Sequence, residues 1–190
     1  SLGDATGKLN RANFAFLSLE HLSPRLHELF SLKSVLGVRS PLHTVARALN
    51  PLGARAQILS VAHPPYRDVH QEAARLLGQP HLAVFKGEGG EAERRPGKPC
   101  GVYTVHDGDV GQEEWRPLLD DSTPPRDDTM DPARLGAVWR GDDADAYAAA
   151  CVVGTAAVAL RLIGHANSQE RAETLAREMW DKRDKGAFGG

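Results

Sequence analysis

Cysteine and methionine are scarce in this chain. Two cysteines, Cys100 and Cys151, are too few for a disulfide framework in 190 residues. Neither they nor the eight histidines stand at zinc-ligand spacing. That pattern fits a reducing compartment, and a cytoplasmic location is expected. Methionine occurs only at Met130 and Met179, and the chain opens on Ser1. The opening SLGDATGKLN has no charged-then-apolar pattern and is not read as a signal peptide; the sequence is expected to begin inside a longer protein.

Other signals are missing too. There is no internal repeat and no low-complexity segment. The most apolar stretch, 144–163, carries Asp145 and Arg161 and is richer in alanine than leucine. It therefore reads as a helix buried on several sides rather than a membrane span. No GxGxxG and no GK[ST] occurs, which excludes a phosphate cradle of the Rossmann or Walker kind. No Ser-His-Asp or Cys-His arrangement can be argued.

What is present is globular. Hydrophobic residues make up 41% and charged residues 25%, which excludes a largely disordered chain. The size suits one domain, or a domain with an appendage. The net charge of −2 is uneven: residues 1–95 hold twelve Lys and Arg against eight Asp and Glu, and residues 96–190 hold eleven against seventeen. An anionic partner would meet the first half.

Along the chain, residues 1–10 read as a linker. Ser23-Pro24 starts a helix that runs with Leu26, Leu29, Phe30 and Lys33 to Gly37, and Ser40-Pro41 starts a shorter one that stops at Asn50-Pro51. Residues 57–62 form a β-prone run closed by His63-Pro64-Pro65. A helix over 66–77 should bury Val69, Ala73, Leu76 and Leu77, with Gly78 as its stop. Residues 81–85 read as a second buried strand. Strand, helix and strand make a βαβ unit, whose loops emerge at the carboxyl edge of the sheet where ligands bind. Residues 102–106 with Asp107-Gly108 predict a strand and a hairpin turn. An acidic, proline-containing loop over 116–131 follows. Asp131-Pro132 caps a helix to Trp139, and Ser168 caps a last amphipathic helix through Leu175 and Trp180.

Three groups could carry chemistry. The loop from Gly87 to Glu93 holds Glu88, Glu91 and Glu93 among glycines; these carboxylates would repel bare phosphate and could hold it through Mg²⁺. The competing reading is a solvated acidic turn. Arg39, His43 and Arg47 follow at intervals of four beside a helix start, and with Lys33 and Arg55 form either an anion or nucleic-acid surface or plain surface cations. His63 stands at a strand's carboxyl end, as a site residue or a hydrogen-bonded turn residue.

Four segments in order carry a resemblance: Leu36-Gly37-Val38-Arg39-Ser40; Leu49-Asn50-Pro51-Leu52; His63-Pro64-Pro65-Tyr66; and Val84-Phe85-Lys86-Gly87-Glu88-Gly89-Gly90. From about Phe16 to Trp180 the chain resembles the second half of a family 3 glycosyltransferase, whose well-known members are anthranilate phosphoribosyltransferases. The resemblance implies an α/β fold with a central, mostly parallel sheet flanked by helices, plus a helix pair belonging to a mostly absent helical domain. The expected layout is a linker over 1–21, the helix pair over 22–50, the α/β domain over 51–183 and a flexible tail over 184–190. It also implies that the half carrying the phosphoribosyl pyrophosphate loop and the Lys-His-Gly-Asn motif is absent, so the fragment alone is expected to be inactive.

Two departures stand out. The family's Asp-Glu pair for Mg²⁺ corresponds to Ala92-Glu93, with Glu91 shifted one place. Its carboxylate-binding arginine corresponds to Lys33, which lacks the planar fork of a bidentate contact. The pattern is nearer to divergent YbiB-like paralogues. The expected function is therefore Mg²⁺-dependent pentosyl transfer to a small acceptor other than anthranilate. Glu88, Glu91 and Glu93 would hold the metal, with Lys33, Arg39, His43, Asn50 and His63 on the substrate side. The alternative is a single-stranded nucleic-acid binder using Arg39, Arg47 and Arg55. A homodimer through the helical domain is expected, with no membrane partner.

Overall fold

The structure is a computed structural model that describes residues 2–37, 41–87, 91–120 and 131–187, with the backbone alone at 33, 34 and 36. The chain divides into two compact units, Ser1–Arg55 and Ala56–Gly190.

The first unit is helical. It contains α1 (Leu2–Ala12), α2 (Leu19–Leu22), α3 (Pro24–Leu36) and α4 (Leu42–Arg47). Helix α1 occupies the stretch that reads as a linker from sequence, where two glycines, Gly3 and Gly7, argue against a helix. Pro24 opens α3, where its missing N–H costs nothing, and Gly37 follows the helix in the left-handed region at φ +68°. Ala5 is the one buried residue among the described apolar side chains of this unit, while Phe14 and Phe16 are exposed.

The second unit is an α/β sandwich. Its strands are β1 (Ala56–Val61), β2 (His81–Lys86), β3 (Cys100–His106) and β4 (Asp109–Trp115), in that spatial order. Helix α5 (Tyr66–Leu76) joins β1 to β2, which pair in parallel. The pairings of β2 with β3 and of β3 with β4 are antiparallel. The described sheet is thus mixed, where the resemblance implied a mostly parallel one. The reason is local: Asp107 and Gly108 both have positive φ, +48° and +97°. This two-residue hairpin turn can only return the chain antiparallel. Strand β4, polar and largely exposed, has no strand signature of its own and exists as the hairpin partner of β3.

Strand alternation sorts the core onto two faces. Leu59, Val61, Leu82, Val84 and Val105 gather with Ala74 of α5 on one side. Ala83, Phe85, Val102 and Trp115 gather on the other with α7 (Ala146–Leu162) and α8 (Gln169–Asp181). Both helices are capped: Ser168, the expected cap of α8, accepts from the N–H of Arg171, and Asp145 caps α7 by accepting from the N–H of Ala148. Helix α6 (Pro132–Arg140) is capped by Asp131 in the same way. At 17 residues α7 is apolar because it is buried, and among the described residues no helix is long and apolar enough to cross a membrane.

The expected inner face of α5 is corrected. Val69, Leu76 and Leu77 are exposed, Leu77 to 78%, and the buried residues are His70 and Ala74. The helix docks by polar contact: Gln71 donates to the carbonyls of Thr104 and Gly111, both at 2.8 Å, and Arg67 donates to that of Gly101 at 3.4 Å. A period-3.6 apolar pattern cannot register such a face.

Candidate functional site

The parallel pair of β1 and β2 ends its strands at Val61 and Lys86, and the chain leaving each end carries the candidate residues. His63 follows β1. It is exposed, its carbonyl accepts from the N–H of Tyr66 at 3.1 Å, and the two rings stand 6.4 Å apart. The turn role and a site role are therefore compatible at this position.

After β2, Gly87 donates its N–H to the carbonyl of Val61 at 3.2 Å, which ties the two strand ends together. A Cβ built on Gly87 would lie 1.8 Å from the carbonyl oxygen of Glu91. A side chain at this position is excluded because the backbone of Glu91 lies against it. Glu93 then donates its N–H to that same Glu91 carbonyl at 2.8 Å. Glu88 lies outside the described residues. Glu91 and Glu93 are both exposed, two hard carboxylates on one short turn at the carboxyl edge of the sheet.

Glu93 also faces α7. Burial, with the Glu93 carboxylate beside it, pushes the Cys151 thiol up to about 12, and burial raises neighbouring Tyr147 as well. Cys151 is therefore a neutral thiol near neutral pH and not a nucleophile. Among the described residues no three His, Cys, Asp or Glu side chains are grouped to hold a metal ion. Two carboxylates suit Mg²⁺ nonetheless, since that ion takes one or two of them and fills its shell with substrate phosphate and water.

Sequence reasoning missed Arg94, the neighbour of Glu93. Its side chain is wholly buried, pairs with Glu173 of α8 at 2.7 Å, donates to the carbonyl of Arg116 and stacks 4.8 Å over Trp115. Its backbone N–H donates to Thr155 Oγ1 at 3.0 Å. The glutamate-bearing turn is thus pinned to α7, α8 and the end of β4 by the next residue along. The only sequence signal was an arginine directly after an acidic loop.

The helical unit supplies the other candidates. Arg39 lies outside the described residues, as does the side chain of Lys33. His43 is half-buried on α4, its ring 4.2 Å from that of Phe30. Asn50 closes its own loop: its amide donates to the Ala54 carbonyl and its Oδ1 accepts from the Ala54 N–H, both at 2.8 Å. Arg47 is half-buried and Arg55 exposed.

No family model matches the chain. Among curated proteins, an anthranilate phosphoribosyltransferase of Synechococcus sp. (strain WH7803) is 33% identical over 132 residues, covering 70% of this chain and 35% of that protein. In part, then, this chain is similar to anthranilate phosphoribosyltransferases. The corresponding protein of Sulfolobus acidocaldarius is 27% identical over 100 residues, 53% of this chain and 29% of its own length. An uncharacterized protein of Aquifex aeolicus is 34% identical over 87 residues, 46% of this chain and 28% of its own length. The chain spans about a third of the length of these relatives. The matched part is distantly related to a phosphoribosyltransferase-like family, and its described fold is α/β with a four-stranded mixed sheet.

Proposed function

We propose that this chain is the C-terminal part of a phosphoribosyltransferase-like protein that transfers a pentosyl group to a small acceptor other than anthranilate, in a fold whose further strands make the whole sheet mostly parallel. The observation that supports this reading best is the pair Glu91 and Glu93 at the carboxyl end of β2, in a chain similar to anthranilate phosphoribosyltransferases. Open α/β sheets present ligands at that edge.

In such a transfer, pyrophosphate leaves from an oxocarbenium-like centre, so the protein's work is positioning and charge neutralisation. Glu91 and Glu93, with Glu88, would hold Mg²⁺. The bound ion would neutralise charge on the departing pyrophosphate. Arg94, fixed by Glu173, keeps the turn in place, with Glu91 and Glu93 exposed and the Glu93 carboxylate beside Cys151. Lys33, Arg39, His43 and Asn50 of the first unit, and His63 of the second, are each assigned a substrate-binding role, with Lys33 supplying charge without a bidentate fork. The helical unit, with Phe14 and Phe16 exposed, is where a homodimer would form.

Calorimetry of the full-length protein with phosphoribosyl pyrophosphate and Mg²⁺ tests the reading. Binding is expected, weakened about tenfold or more by Glu91→Ala and by Glu93→Ala. No heat of binding would sink it. Salt-dependent binding of single-stranded oligonucleotides, lost with Arg39→Ala and Arg47→Ala, would instead favour the YbiB-like, nucleic-acid-binding alternative.

A further inference from the structure

We infer that Arg67, Lys86, Arg95 and Lys98 form a pocket for the phosphate group of a small phosphoester, separate from the glutamate turn. The four side chains, with Pro99, Cys100 and Gly101, line a cavity of about 120 Å³. Every charged residue in that lining is a cation. A drug-sized ligand needs at least about 300 Å³, so the cavity suits a single tetrahedral oxyanion rather than a whole nucleotide.

The elements place it where ligands are bound. Arg67 stands in the first turn of α5, just past the end of β1, and Lys86 ends β2. Arg95 and Lys98 lie on the segment leading to β3, whose first residues close the floor. All of this surrounds the carboxyl end of the parallel pair.

The pocket is organised before any ligand arrives. Arg67 donates through Nε to the Pro64 carbonyl at 3.2 Å and through Nη1 to that of Gly101 at 3.4 Å, and its guanidinium lies 4.6 Å over the Tyr103 ring. Its anchors are carbonyls and a ring face, which fix its direction without cancelling its charge. A guanidinium carries five N–H donors, so these two bonds leave others to offer. Among the described residues neither Lys86 nor Lys98 forms an ion pair. Burial pushes the Cys100 thiol up to about 11, so it adds no opposing charge near neutral pH.

The Glu114 carboxylate borders the site. A Cβ on Gly101 would lie 2.9 Å from Arg67 Nη1 and 3.3 Å from Glu114 Oε2. Gly101 therefore keeps the floor open, and Glu114 flanks Arg67 from outside the lining.

The test uses the 190-residue chain in EDTA, which removes any contribution of Mg²⁺ at Glu91 and Glu93. Inorganic phosphate and glycerol 2-phosphate are titrated by calorimetry and by ³¹P line broadening. Both should bind, and Lys86→Ala/Lys98→Ala should weaken each about tenfold or more. Arg67→Lys, which keeps charge and loses the fork, should weaken them less. The surface pair Lys8→Ala/Lys182→Ala should leave affinity unchanged, and circular dichroism confirms folding of every variant. Binding weakened equally by the remote pair would show nonspecific attraction and overturn the proposal. So would no binding at 10 mM (roughly the weakest affinity of interest), or a thymidine oligonucleotide that binds more tightly through the same two lysines.

Discussion

Two buried thiols contribute to how the molecule responds to alkali. Cys100 and Cys151 are pushed up to about 11 and about 12, chiefly by burial, whereas an unfolded thiol titrates near pH 8.5. The folded chain holds both protons to higher pH than the unfolded chain does. The resulting stability is complete below about pH 8.5 and is lost as pH rises through 9 toward 11 or 12. Melting temperature should fall over that window, and Cys151→Ala should flatten part of the fall in thermal scans. A titration no shallower in the variant would refute this origin. His63 and Asn50, by contrast, show how far a single residue could be read from sequence. Asn50 precedes a proline, and its bonds to Ala54 close a local turn, while nothing within a few residues of Arg94 announced its burial.

One buried side chain ties together elements that the apolar cores also join. Arg94 reaches α8 through Glu173, β4 through Trp115 and the chain beyond it through Arg116, while among the described residues its Nε has no hydrogen-bond partner. Helix α7 accommodates it with Gly154, where a Cβ would come 3.2 Å from Arg94 Cδ and 2.9 Å from Leu118 Cδ1. Removing one member of a buried pair leaves the other uncompensated. Glu173→Ala should therefore cost about 3 kcal/mol in urea unfolding. Arg94→Met, which also removes the charge and the orphaned donor, should cost less. The reverse order would show that the packing of the arginine stem, not its charge, dominates. Helix α5 makes a related point: Gln71 and Arg67 hold it to backbone carbonyls of β3 and β4, and Ala74 packs inward while Val69 and Leu76 are left outward.

At the scale of the molecule the two units differ in kind. Ala56–Gly190 has cores on both faces of its sheet. The described part of Ser1–Arg55 buries one apolar residue. A chain shortened to 56–190 should unfold cooperatively, with the near-ultraviolet circular dichroism of Trp115, Trp139 and Trp180 retained. A broad, non-cooperative transition would show that the second unit depends on the first. The tryptophan signal is a fair probe, because Trp139 and Trp180 meet edge to face at 5.8 Å with Arg183 stacked 3.8 Å over Trp180.

By itself the sequence determined the helix starts at Pro24, Pro132 and Ser168, the βαβ unit over 57–85 and the Asp107-Gly108 hairpin. Each depends on caps, periodicity or turn chemistry contained within a few neighbouring residues. Tertiary structure alone decided the buried face of α5, the existence of β4, the burial of Arg94 and the convergence of Arg67, Lys86, Arg95 and Lys98. Those depend on partners far apart in the chain, such as Arg94 and Glu173 at a separation of 79 residues. No local pattern records which distant group will meet a charge once the sheet and its helices have closed on it.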